Sequence, residues 1–176
     1  MIDLPRFETS RLALSVPGRD DYQLLRDLVA DPQVHRHLGP RPDDPTTDMF
    51  NRAQRGAGSW LLSGYGLFLV HERATGAFVG QAGVFHSRRG FGKGMDDVAE
   101  AGWILARPHW GKGFATEAMA GAIAWFRATH GPQRIACMIE TGNAASFAVA
   151  HKLGFVRYDR HTLADGAEVE LLEQTA

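Results

Sequence analysis

The stretch Glu100 to Thr129, EAGWILARPHWGKGFATEAMAGAIAWFRAT, constrains this chain's fold more than any other part of it. Ala101 to Leu105 is a short apolar run of strand length. Pro108, in the turn Ala106 to His109, ends the extended backbone. Trp110-Gly111-Lys112-Gly113-Phe114-Ala115-Thr116-Glu117 then opens a long helix that reaches Thr129. His130-Gly131-Pro132 closes that helix in the usual order. Arg134 to Glu140 (RIACMIE) reads as a second strand, parallel to the first because a helix bridges them.

A glycine-bearing turn at a helix start leaves several N–H groups without intrahelical partners, at the positive end of the macrodipole. Gly111 and Gly113 lack a Cβ, so a bulky anion can approach the backbone closely. The site this predicts holds a phosphate or pyrophosphate. Two common phosphate loops do not fit. A Walker loop needs Ser or Thr after Gly-Lys, but glycine follows both Gly111-Lys112 and Gly92-Lys93. A dinucleotide fingerprint needs a third glycine where Thr116 stands, and an acidic residue about twenty positions on, which Gly131 to Arg134 do not supply.

The turn resembles the loop of the GNAT superfamily of acyl-CoA-dependent N-acetyltransferases, Gln/Arg-x-x-Gly-x-Gly/Ala. Gly113 and Ala115 match, and Trp110 takes the place of the usual Gln or Arg. Trp-Gly-Lys-Gly-Phe-Ala-Thr-Glu-Ala is similar to the branch containing ribosomal-protein N-terminal acetyltransferases, where an aromatic is common at the first position. Thr9-Ser10-Arg11-Leu12 resembles that branch's opening, and Phe78 to Gly83 its central hairpin strand. Asn143-Ala144-Ala145-Ser146 with Lys152-Leu153-Gly154-Phe155 resembles the second signature. The resemblance implies one domain over residues 1–176. Its fold class would be α/β (α+β): a mixed, mostly antiparallel twisted sheet of about six to seven strands, with a parallel pair splayed around the acyl-CoA site and about four flanking helices.

Composition is ordinary for a soluble globular protein. Of 176 residues, 44% are hydrophobic and 22% charged, and a chain of this length buries a real core. Net charge is −1, with no basic block to bind nucleic acid. No run has transmembrane length. Asp3, Arg6 and Glu8 stand where a secretory signal would need an apolar stretch, and a single cysteine, Cys137, cannot form an internal disulfide. These features point to a cytoplasmic protein, and a monomer or homodimer is expected.

Arg11 to Val16 alternates as a first strand. Asp20 is positioned to cap a helix through Tyr22, Leu25, Leu28 and Val29, and Asp31-Pro32 interrupts it. Thr46 or Thr47 can cap a second helix reaching Leu62. Gly66 to Glu72 and Ala77 to His86 form a hairpin. Ser87 to Asp97 (SRRGFGKGMDD) reads as a mobile, Gly-rich loop. Gly121, in mid-helix, implies close packing against the sheet. A last hairpin turns at Asp165-Gly166.

Acetyl transfer from a thioester to an amine requires a neutral amine, an oxyanion donor and, optionally, a proton for the leaving thiolate. The resemblance implies direct attack in a ternary complex and places a carboxylate base at Glu100. Along its strand Glu100 shares a face with Val98, Gly102 and Ile104, an apolar setting that favours proton uptake. It would otherwise be an exposed strand-end carboxylate. The family's frequent acid, a tyrosine before the Gly154-Phe155 pair, is replaced by Val149 and Ala150. In this branch Ser146 takes the thiol-side role, or else it caps the backbone. Asn143 bonds the pantetheine amide or caps its helix. The resemblance assigns the other acetyl-CoA contacts to Ile104, Leu105, Trp110, Gly111, Lys112, Gly113, Phe114, Ala115 and Thr116. Glu117 suits the helix dipole and should point away from phosphate. Cys137 reads as apolar strand filling, and no histidine pair has metal-ligand spacing. The acceptor is a small-molecule or peptide amine. The competing reading is a catalytically silent acyl-CoA-binding module.

Overall fold

The computed structural model describes residues 4–175, so Asp3 lies outside the described residues. Eight strands form one sheet in the order β1-β2-β3-β4-β5-β6-β8-β7. In chain order they are β1 (Arg6–Glu8), β2 (Leu12–Ser15), β3 (Leu67–Glu72), β4 (Phe78–Arg88), β5 (Asp96–Leu105), β6 (Ile135–Glu140), β7 (Val156–Thr162) and β8 (Glu168–Gln174). The helices are α1 (Tyr22–Ala30), α2 (Pro32–His35), α3 (Pro45–Ser63), α4 (Phe114–His130) and α5 (Ala144–Lys152). Every neighbouring pair is antiparallel except β5 and β6, as the bridging helix requires. The mixed sheet with its parallel pair is the expected architecture. The additional strand is β1, three residues long and too short to leave a periodic pattern.

Alternation along the strands divides the core between the two faces of the sheet. Phe68 and Val70 of β3, and Ala99, Ala101 and Leu105 of β5, pack with Phe114, Ala118, Met119, Ala122 and Phe126 of α4. Leu69 and Ile104 point to the other face, where Leu25, Leu28, Val34 and Met49 of α1 to α3 cover them. A smaller cluster of Met95, Val98, Ala136, Val169 and Leu171 continues that second face towards β8. Helix α4 is apolar over most of its circumference and buried, as expected.

Local expectations are corrected at three places. Helix α1 begins after Asp21, whose carboxylate takes the Gly18 N–H at 2.7 Å and caps no helical amide, so Asp20 is not the cap. Helix α3 is capped by Asp44, not by either threonine. Its carboxylate accepts the N–H groups of Thr46 and Thr47 and the Thr47 hydroxyl, and Pro45 supplies a preset first-turn φ.

The third correction concerns the glycine-rich hairpin loop, which is neither as long as expected nor loose. Strands β4 and β5 extend to Arg88 and from Asp96, and Met95 inside the loop is fully buried. The Asp96 carboxylate accepts the Gly90 and Gly92 N–H groups, which hold it below the usual carboxylate range. Lys93 Nζ donates to the Arg160 carbonyl at 2.7 Å, and the Tyr158 hydroxyl donates to the Lys93 carbonyl at 2.9 Å. Arg134 donates to the Gly94 carbonyl at 2.8 Å, and the Phe91 ring stacks on His161 at 3.9 Å. The loop is a strap laid across β7.

Candidate active site

Strands β5 and β6 pair only at Ala99–Ile135 and Glu100–Ala136, then diverge. Strand β4 stays paired with β5 as far as Leu105, and β8 with β6 as far as Glu140, so the divergence opens a wedge between two intact half-sheets. The Ala106 N–H donates to Val79, which fixes which β5 residues face β4. By alternation, Ile104 turns its main-chain groups to β4, while Trp103 and Leu105 turn theirs into the wedge. Of these, the Leu105 carbonyl accepts the Trp110 indole N–H at 2.7 Å. The tryptophan that departs from the loop pattern therefore ties the loop to the strand end.

At the top of this wedge stands the head of α4. Gly111 and Gly113 have φ of +73° and +78°, a left-handed backbone that side chains disfavour. Trp110 N–H bonds Arg107 and Glu117 N–H bonds Gly113, but among the described residues the N–H groups of Gly111, Lys112, Gly113, Phe114, Ala115 and Thr116 have no acceptor. A Cβ at Gly111 would meet nothing within 4 Å, so the approach to these amides is open. Six adjacent donors at a helix N-terminus suit a diphosphate. Phe114 is buried in the α4 core and positions the turn without facing it.

Glu117, in the first turn of α4, is drawn back by the N-terminal strand. Its carboxylate accepts the Thr9 hydroxyl at 2.7 Å, the Arg11 N–H at 2.7 Å and the Arg11 Nε–H at 2.6 Å. Arg11 Nη1 also donates to the Lys112 carbonyl at 2.9 Å, and the guanidinium lies over the Phe114 ring. Burial raises the proton affinity of Glu117, but these hydrogen bonds outweigh it and hold the group below the usual carboxylate range. Thus Glu117 does point away from the loop, into an ion pair that cancels its repulsion of phosphate.

Across the wedge, Asn143 caps α5: its Oδ1 accepts the Ser146 N–H at 3.1 Å. The Asn143 amide NH2 and the half-buried Ser146 hydroxyl have no partner among the described residues, so Ser146 does not cap the backbone. Ala150, where the family's tyrosine would approach, is fully buried. His37, beyond α2, reaches over the second face of the sheet to Glu140 at the end of β6, with Nδ1 3.1 Å from Oε1. Cys137 is buried, and burial first and then the Glu100 charge push its thiol well above its ordinary range, as befits filling.

Glu100 occupies the apex of the wedge, in the last paired position of β5. It is 3% exposed, and it is the one buried carboxylate among the described residues. The expected apolar setting is corrected here. The Arg89 guanidinium grips the carboxylate with both arms, Nε–H to Oε2 at 2.9 Å and Nη2–H to Oε1 at 2.5 Å. Strand periodicity reports only neighbours along one strand, and Arg89 arrives from the strap. The Thr9–Arg11–Glu117 clamp was equally invisible to pattern reading, although Thr9-x-Arg11-Leu12 stood out as a resemblance.

The acetyltransferase (GNAT) domain family matches residues 11–156 of this chain. The uncharacterized protein YkkB of Bacillus subtilis (strain 168) is 30% identical over 148 residues, 83% of this chain and 82% of its own. A putative GnaT-family acetyltransferase from Bordetella pertussis has a solved structure that superposes with a TM-score of 0.85 at 29% identity, covering 97% of this chain and 99% of that one. At 15% identity, which speaks to the fold alone, a RimL ribosomal L7/L12 alpha-N-protein acetyltransferase in complex with coenzyme A superposes with a TM-score of 0.74, covering 97% of this chain and 98% of that one.

Proposed function

The chain belongs to the GNAT acetyltransferase family, and from that premise we propose that it moves the acetyl group of acetyl-CoA to a primary amine within a ternary complex. The observation that carries this reading is the run of six open amides from Gly111 to Thr116, standing over a wedge between two parallel strands. Those amides and the Lys112 charge hold the diphosphate of the cosubstrate. Trp103 and Leu105 offer main-chain groups to the pantetheine arm, Ile104 backs them from the acceptor face, and the free Asn143 NH2 meets an amide of that arm.

In the reaction the neutral amine nitrogen attacks the thioester carbonyl carbon. The C–N bond forms, the C–S bond breaks, and the coenzyme leaves as its thiolate, with the Ser146 hydroxyl donating a hydrogen bond to the departing sulfur. The proton lost by the amine passes to Glu100, directly or through water. Thiols have a pKa near 8.5, so the thiolate leaves well and positioning supplies much of the rate. The absent tyrosine is consistent with this economy.

The acceptor is a peptide N-terminus or a small-molecule amine, approaching the face covered by α1 to α3. Among the described residues no helix is long and apolar enough to cross a membrane. We place the enzyme in the cytoplasm, as a single domain acting as a monomer or homodimer. A panel of amines with acetyl-CoA, read by thiol release, tests the reading. Turnover with at least one amine that is lost in Glu100→Gln supports it. Tight coenzyme A binding without turnover on any amine identifies a silent binding module instead.

A further inference from the structure

A carboxylate that is 3% exposed holds its charge poorly unless a partner offsets the lost hydration. At Glu100 that partner is Arg89, and three features set this pair apart from the surface ion pairs. It is bidentate, with one donor on each carboxylate oxygen. Its arginine comes from the strap and not from the sheet. The strap is itself fixed to β7 by Lys93, Tyr158 and the Phe91–His161 stack, and to Arg134 ahead of β6. The apex of the wedge, where only two residue pairs join the half-sheets, is therefore bridged by a segment that delivers a cation to its one buried carboxylate.

We propose that Arg89 is the positioning residue of Glu100: fixed by the strap, its guanidinium keeps the buried carboxylate ionised and in one orientation while leaving each oxygen a lone pair for the acceptor amine or its water. This rests on the reading of Glu100 as the base. A protonated Glu100 could take nothing from an incoming ammonium, so the form that the guanidinium pairs with is the receptive one. Other charges near Glu100 do not compete. Asp96 is held by the Gly90 and Gly92 amides, Asp97 faces Arg88 and His86, and the Cys137 thiol from β6 stays neutral.

The test follows the Glu100 carboxyl itself, independently of turnover. In protein carrying 13C-labelled glutamate, the side-chain carboxyl signal missing from Glu100→Gln belongs to Glu100. Arg89→Met should raise the midpoint of its pH titration by about one unit or more, a tenfold or larger gain in proton affinity. Arg89→Lys, which keeps a charge without the fork, should restore most of the difference. The double variant Lys93→Ala/Tyr158→Phe, which frees the strap and leaves the pair intact, should move the midpoint the same way by less. It also supplies the readout if Arg89→Met does not fold. An unchanged midpoint in the folded variants overturns the proposal. Full turnover by Glu100→Gln would instead overturn the base assignment, and the titration would still report on Arg89.

Discussion

The Glu117 carboxylate and the Arg11 guanidinium meet at 2.6 Å across 106 residues of chain. Arg11 also holds the Lys112 carbonyl, so one side chain fixes both the first turn of α4 and the loop that precedes it. Losing it should loosen the diphosphate grip and leave the acceptor side alone. In Arg11→Ala, KM for acetyl-CoA should rise about tenfold, the equivalent of about one charge-assisted hydrogen bond, while KM for the amine stays put. Steady-state kinetics with each substrate varied in turn would show it.

The same pair makes stability depend on pH with a definite sign. Glu117 has a folded-state proton affinity below its unfolded one, so its contribution is complete above the ordinary carboxylate pKa of about 4.5 and fades as pH falls through the lower folded value. Arg11 is about half exposed, with a side-chain accessibility of 48%, so solvent screens its share, and the contribution is about 1–2 kcal/mol. Thermal melts from pH 7 to pH 3 should show wild type losing its advantage over Glu117→Gln at the acid end. Parallel curves would contradict the clamp.

Gly121 reverses a common rule. Glycine inside a helix costs about 1 kcal/mol relative to alanine, so Gly→Ala ordinarily stabilises. Here a Cβ would lie 2.8 Å from Thr9 Cγ2 and 3.0 Å from Phe7 Cε2. Thr9 is not free to move, because its hydroxyl is bonded to Glu117. Gly121→Ala should therefore lower Tm and weaken acetyl-CoA binding together, measured by calorimetry and titration.

Glu100→Gln should keep the fold and the coenzyme A affinity, since the amide oxygen still accepts one of the two Arg89 N–H groups. Its kcat should fall about 10²- to 10³-fold, in the range of a lost general base. A kcat within a factor of three of wild type would remove Glu100 from the mechanism.

Cys137 should resist thiol reagents in the native state, because its buried thiol has little thiolate character. Labelling should appear only as the protein unfolds, so the rate of maleimide uptake in denaturant would track global unfolding.

How much of this was legible beforehand depends on whether a feature is local. The β5–turn–α4–β6 unit showed in the sequence because strand runs, glycines and a helical stripe are contiguous signals, and the parallel pairing followed from the bridging helix. The glycine-bearing turn announced its open amides for the same reason. The cap of α3 went to Asp44 because a carboxylate ahead of proline competes better than the threonines that follow. What stayed hidden is what distant segments bring together. Arg89 meets Glu100 only because the strap folds over it, and Arg11 meets Glu117 only because β1 and β2 run beside α4. The strap itself read as mobile from its glycines and charges. Its order comes from buried Met95 and from partners on β7 that no local pattern encodes.

The central claim is that open main-chain amides from Gly111 to Thr116 hold the diphosphate of coenzyme A. Isothermal titration with coenzyme A, beside pantetheine, which has the arm but no diphosphate, tests it most directly. The account predicts that coenzyme A binds at least a hundredfold more tightly than pantetheine, about 2.7 kcal/mol, and that Gly113→Ala, forced to φ near +78°, removes most of that advantage. Equal affinities for the two ligands, or no heat from coenzyme A, would contradict it.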